Sequence, residues 1–235
     1  MRHRSMGSCR YTVYVAGGDR NMRSEPASGI PLIAILRGVV PERVVDVANV
    51  LYDAGIRMIE VPLNSPDPFT SIAALAACGR ADWTIGAGTV LTADDVHRTK
   101  QAGGSIAVMP NCDGDVIRCC LQLDLQVLPG IATPTEAFHA IRAGAKQLKL
   151  FPASTYGPQH LQALRAVLPR DVGVFPVGGV GASNIAEWLA AGAAGLGFGS
   201  DLFRPEYDLA EIGRRAAGFV QAARGARADS RGRSS

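Results

Sequence analysis

The chain has 235 residues, 47% of them hydrophobic, enough for one sizeable core or two small ones. A net charge of only +3, with the excess arginine gathered at the two ends, argues against a nucleic-acid surface on the folded part. Five cysteines with no C-x-x-C pair and four scattered histidines form no disulfide framework and no metal-ligand spacing, which reads as a reducing, cytoplasmic setting.

In chain order, residues 1–28 are basic, carry only the short apolar stretch YTVYVA and lack the apolar core of a signal peptide. They are expected to be a poorly ordered extension, with Met6 and Met22 as alternative starts. No apolar run has the length of a membrane span, so no membrane contact is expected. From there an apolar, strand-like run alternates with a helical pattern. PLIAILRG precedes PERVVDVANVLYDAG, RMIEVPLN precedes SPDPFTSIAALAACG, and WTIGAGTV precedes TADDVHRTKQAGG. SIAVMPN leads to DGDVIRCCLQLD, QVLPG to TPTEAFHAIRAGA, and KQLKLFP to GPQHLQALRAVLP. VGVFPVGG and GASNIAEWLAAGA follow, then AGLGFGS and DLAEIGRRAAGFVQAAR. Eight strand–helix units at a spacing of about 20–25 residues predict an α/β fold of the TIM (β/α)8 barrel type over residues 29–224. No G-x-G-x-x-G follows the first strand, which weakens a dinucleotide-binding sheet as the alternative. The polar stretch 225–235 is expected to be a disordered tail.

Parallel strands covered by helices are apolar on both faces, so the charges that interrupt them are informative. Arg37 ends the first strand, Glu60 lies on the second and Lys149 on the sixth. Period-2 alternation puts Ile33, Ile35 and Arg37 on one face, Met58 and Glu60 on one face of theirs, and Lys149 with Gln147 opposite Leu148 and Leu150. All three charges can converge at the C-terminal mouth of the barrel, where this fold keeps its catalytic groups. A structural ion pair is the plainer alternative, but three charges entering one mouth favour a site. Lysine occurs only at 100, 146 and 149. Lys100 falls on an exposed helix end and Lys146 faces away from the interior, which leaves Lys149. A desolvated lysine loses stabilisation of its charged form, and its neutral amine can attack a ketone and form a Schiff base.

Glycine pairs at the ends of strands seven and eight, Gly178 and Gly179 in VGGVG and Gly199 before Ser200 in GFGSD, suit a phosphate cradle, since backbone N–H groups can approach an anion there. Taken together, an amine, a carboxylate, a guanidinium for a substrate carboxylate and a phosphate cradle describe a phosphorylated keto acid cleaved or formed through an imine.

The motifs AILRG, IEVPLNS, IGAGTVL, PGIATPTEA, LKLFPAS, FPVGGV and GFGSDL, in this order, resemble the class I 2-keto-3-deoxy-6-phospho-sugar-acid aldolases over about residues 30–224. EVPLNS and Val177 before the glycine pair are similar to the galactonate branch, where phosphogluconate-type relatives more often carry Glu-Val-Thr-Leu-Arg and Thr-Gly-Gly. The resemblance implies Lys149 as the Schiff-base lysine, Glu60 as general acid/base and Arg37 on the substrate carboxylate. It implies Thr89 near the pyruvyl end, and Gly178, Gly179, Gly199 and Ser200 on the phosphate. It further implies no metal or organic cofactor, a small phosphorylated keto-acid substrate and a homo-oligomer, usually a trimer. Met109 departs from the pattern, which has Thr or Ser there, and is expected to remove a hydroxyl from the mouth. Three rivals stand beside this reading. One is the same chemistry on the gluconate epimer or on 4-hydroxy-2-oxoglutarate, one a phosphate-sugar isomerase with Glu60 as base, and one a non-catalytic phosphate-binding barrel.

Overall fold

The computed structural model describes residues 29–232, so the extension expected over 1–28 lies outside the described residues. Strand and helix alternate, except that β5 is followed directly by β6. The first half runs β1 (Leu32–Ile35), α1 (Pro41–Ala54), β2 (Met58–Pro62), α2 (Pro68–Ala77), β3 (Thr84–Gly88), α3 (Ala93–Gln101), β4 (Ile106–Val108) and α4 (Gly114–Gln122). The second half runs β5 (Gln126–Leu128), β6 (Gly130–Ile131), α5 (Pro134–Arg142), β7 (Gln147–Leu150), α6 (Ala153–Val167), β8 (Gly173–Pro176), α7 (Ile185–Ala190), β9 (Leu196–Phe198) and α8 (Leu209–Gly232). The last helix thus continues beyond residue 224, where the sequence reading ends it.

Local sequence sets the helix ends. Thr92 caps α3 and Thr133 caps α5, each in a reciprocal box with the acid three residues on, Asp95 and Glu136. Such caps are worth about 0.5–2 kcal/mol each. Pro41, Pro68 and Pro134 sit at first helical positions, where the missing N–H costs nothing, and Gly55 ends α1 in the left-handed conformation. Gly157 (φ 74°) breaks α6, so its main part begins at Pro158, as expected from GPQHLQALRAVLP, and a separate turn from Ala153 precedes it. The seventh helix is short because Asn184 is spent on the loop before it, accepting from Gly181 N and donating to Gly179 O.

All strand pairs are parallel, in the order β5-β4-β3-β2-β1-β9 and, separately, β6-β7-β8. The sheet curls into a half-barrel, and its ladder is interrupted at two seams rather than running continuously as the eight expected units would have it. Pro129 divides the fifth expected strand into β5 and β6, because proline has no N–H to give the ladder, although its carbonyl still accepts from Lys149 N at 2.8 Å. The other seam lies between β8 and β9, joined by the single bridge of Val177 with Gly197. There the Phe175 ring and the Val177 methyls lean into the spaces above Gly195 and Gly197, 2.2 Å and 2.6 Å from where a Cβ would be.

The two faces of the sheet make separate cores. Leu148, Leu150, Ala34, Leu36, Ile59 and Val61 join the large cluster beneath the helices. Ile33, Ile106, Val108, Leu128 and Phe175, with Met58 against them, form a second cluster on the inner face. This small core floors the mouth where the charged side chains stand.

Candidate active site

Two ionisable side chains sit above the inner core. Glu60 follows Met58 by two residues on β2 and is 2% exposed; Lys149 lies in register with Gly130 and Phe175 and is 6% exposed. Burying either in charged form costs several kcal/mol in order of magnitude. The cost shows in their titration. Burial pushes the Glu60 carboxyl above its ordinary value, against the opposing pull of Lys149 and of Arg37. Burial pushes the Lys149 amine below its ordinary value, the Glu60 charge holding it up in part and Arg37 pressing it further down. Among the described residues no ion pair joins the two, and Glu60 Oε2 is buried without any hydrogen-bond partner. A partnerless buried acceptor facing a depressed amine leaves room for a third party.

The other two lysines behave as solvated groups. Lys100 is exposed on α3, and Lys146 pairs with Asp171 at 2.6 Å in solvent. Over Lys149 stands the Phe151 ring, its centroid 4.9 Å from Nζ. The same ring lies 3.4 Å from where a Cβ on Gly178 would be, so Phe151 spans from the amine to the glycine pair. Sequence patterning gives Phe151 no role of its own, although its period-2 position after Lys149 puts it on the side of the lysine.

Arg37 is exposed at the end of β1, and its guanidinium donates to Asn64 Oδ1 in the loop after β2. In the same pair of loops Gly38 N donates to Ser65 Oγ at 2.9 Å, and Ser65 is itself buried. Asn64 and Ser65 thus hold the Arg37 turn in place, a contact across 27 residues that no local pattern announces. Thr89, directly after β3, is half-buried with φ 57°. A β-branched residue in the left-handed region stores about 1–3 kcal/mol of strain, which the surrounding structure must hold.

Gly178 (φ 89°) and Gly179 (φ 79°) both need the left-handed region, and a Cβ at Gly179 would approach Ser154 Cβ to 2.5 Å. Their loop is pinned to the start of α6 by Ala153 N to Val177 O and Ser154 N to Gly178 O, both 2.8 Å. Gly199 faces open space, Ser200 is exposed, and Arg204 Nε donates to the Ser200 carbonyl at 3.2 Å. The structure therefore groups Lys149, Glu60 and the glycine pair around one mouth, with Arg37 and Ser200 at its solvent edge.

One expectation is corrected. Met109 removes nothing from the mouth: it is fully buried in the large outer core, beneath the helices, whereas Ile106 and Val108 point inward. Alternation along β4 turns position 109 away from the site, whichever residue stands there.

The geometry has counterparts among known proteins. A family model described as KDPG and KHG aldolase matches residues 25–214. The chain is 46% identical over 195 residues to 2-dehydro-3-deoxy-6-phosphogalactonate aldolase of Escherichia coli (strain K12), covering 83% of this chain and 95% of that protein. A solved native KDPGal structure superposes with a TM-score of 0.83 at 45% identity, over 85% of this chain and 97% of that one. A cube-shaped porous protein cage, designed by fusing symmetric oligomeric domains, superposes with a TM-score of 0.86 at 44% identity, over 87% of this chain and 76% of that one.

Proposed function

Because this chain belongs to the KDPG and KHG aldolase family, we propose that it cleaves 2-dehydro-3-deoxy-6-phosphogalactonate to pyruvate and glyceraldehyde 3-phosphate through an imine on Lys149. It is a carbon–carbon lyase. The observation that carries the imine is the buried, depressed Lys149 amine facing the partnerless oxygen of Glu60. The two ladder seams are read as joins in one (β/α)8 barrel, whose C-terminal mouth holds the reaction.

In this reading the neutral Lys149 amine attacks the C2 ketone, and loss of water gives an iminium. Glu60, directly or through one water, takes the proton of the C4 hydroxyl. The C3–C4 bond breaks, its electron pair passes into the iminium as an enamine, and the aldehyde leaves. Protonation at C3 and attack of water on the regenerated iminium release pyruvate and the free amine. The imine is the electron sink, so the step calls for no metal or organic cofactor. Arg37 takes the substrate carboxylate, Thr89 lies beside the pyruvyl end, and Gly178, Gly179, Gly199 and Ser200 receive the phosphate. We assign the reaction to the cytoplasm, a reading supported by the unpatterned cysteines of the sequence. A homo-oligomer, a trimer by family resemblance, is supported by the cage built of symmetric oligomeric domains.

Two outcomes follow from this arrangement. Asn64→Ala frees the Arg37 guanidinium and raises KM about fivefold, the worth of a ~1 kcal/mol hydrogen bond, with kcat unchanged. An equal loss in kcat would place Arg37 in the chemical step instead. Val177 is 5% exposed and offers no donor at the position before the glycine pair. The family resemblance puts this position near the substrate C4 hydroxyl, so, assayed side by side, the galactonate epimer is expected to be turned over faster than the gluconate epimer; a preference for gluconate overturns the substrate named here.

A further inference from the structure

Resting on the aldolase reading above, we propose that Gly88 of β3 is a positioning residue that seats the Glu60 carboxylate in the space any other residue would fill with its own Cβ. A Cβ built on Gly88 would lie 1.1 Å from Glu60 Oε2, 2.2 Å from Cδ and 2.9 Å from Oε1. The oxygen so placed is the one buried without a partner. Backbone conformation does not explain the glycine, because φ at Gly88 lies outside the left-handed region. A methyl group there is therefore opposed by the carboxylate, the far end of a flexible side chain, and not by backbone. Gly86, two residues earlier, is a useful contrast: a Cβ there would meet the Ile106 carbonyl oxygen at 1.9 Å, so that glycine serves the close approach of β3 and β4.

Nor can the strand step back to admit a methyl group. Gly88 is in register with Pro62, its carbonyl accepts from Leu63 N at 2.8 Å, and the chain turns at once into the strained Thr89. With β3 held, the carboxylate is what must move. Glu60 has several rotatable bonds, and the vacancy on β3 selects the one arrangement that keeps Oε2 dry and free within the field of Lys149 from β7 and Arg37 from the end of β1. Gly88 thereby acts on the reaction through Glu60, without touching substrate.

Gly88→Ala is expected to lower kcat about 10²-fold, as loss of a positioned general base does, with KM little changed. Borohydride still traps pyruvate on Lys149 in that variant. In a Glu60→Ala background the seat is empty, so adding Gly88→Ala costs no further turnover. Glu60→Asp, one methylene shorter, recovers part of the rate lost in Gly88→Ala. Wild-type kcat in Gly88→Ala, or the same fold-loss in both backgrounds, overturns the proposal. Should Gly88→Ala fail to fold, the Glu60→Ala/Gly88→Ala pair decides: it folds if the methyl replaces the carboxylate, and its failure overturns the assignment. Absence of a pyruvate adduct in the wild type is a separate result, which removes the aldolase reading itself.

Discussion

Lys149→Met is expected to abolish turnover and the borohydride-trapped pyruvate adduct together, while the protein stays folded. Methionine fills nearly the volume of the lysine stem, so no large cavity opens beneath the Phe151 ring. The danger in breaking a buried pair is the charge left behind. Here Glu60 has an exit. Its carboxyl is already raised by burial and held down in part by Lys149, so losing the lysine raises it further and the group takes up a proton instead of staying charged. The sign of the pH dependence follows. Lys149 has a folded value below its ordinary one, so the stability it contributes at high pH is lost as pH falls through that lowered value. Glu60 has a folded value above its ordinary one, so its stabilising contribution is full in acid and lost as pH rises through the raised value. The variant lacks the first loss and strengthens the second gain, so its melting temperature relative to wild type climbs as pH is lowered. Thermal unfolding across mildly acid to mildly alkaline buffers, with mass spectrometry of the trapped protein, reads both halves. An adduct persisting on Lys100 or Lys146, or a variant that no longer folds, would defeat the assignment.

What could be read in advance was whatever periodicity exposes. A lysine between two leucines in a doubly apolar strand cannot hide, and alternation alone separates Lys149 from Leu148 and Leu150, which the structure buries in the outer core. Glu60 above Met58 follows from the same count. Alternation carried through Ile106 and Val108 also turns Met109 outward; the mouth position expected for it rests on the family pattern alone. Pro129 stood in QVLPG as a visible break in the ladder, although the β8–β9 seam depends on how Phe175 and Val177 lean, which no linear pattern holds. Contacts that cross between elements stayed hidden. Asn64 on Arg37 and the Glu60 oxygen above Gly88 depend on side-chain reach across neighbouring strands and loops, and GAG on its own reads only as a flexible strand end.

Glu60→Gln separates imine formation from bond cleavage. The amide matches the carboxylate in shape, so the seat on β3 and the inner core below are undisturbed, yet the group can no longer accept the C4 hydroxyl proton. Turnover is expected to fall about 10²–10⁴-fold, the usual range for general acid/base catalysis. In barrier terms that is about 3–5 kcal/mol. The amine remains, and its titration moves in a definite direction. The Glu60 charge is what holds Lys149 up against burial, so its removal lets the amine lose its proton at still lower pH. Borohydride trapping with pyruvate should therefore persist in Glu60→Gln, its midpoint displaced toward acid relative to wild type. Exchange of the pyruvate C3 protons with solvent deuterium, which needs a base at the enamine step, slows alongside cleavage. A variant with full turnover would show the carboxylate to be a mere electrostatic neighbour of the lysine. A midpoint displaced toward alkali would mean that the two groups do not share a field, and the pairing of buried amine with buried acid on which the chemistry depends would be lost.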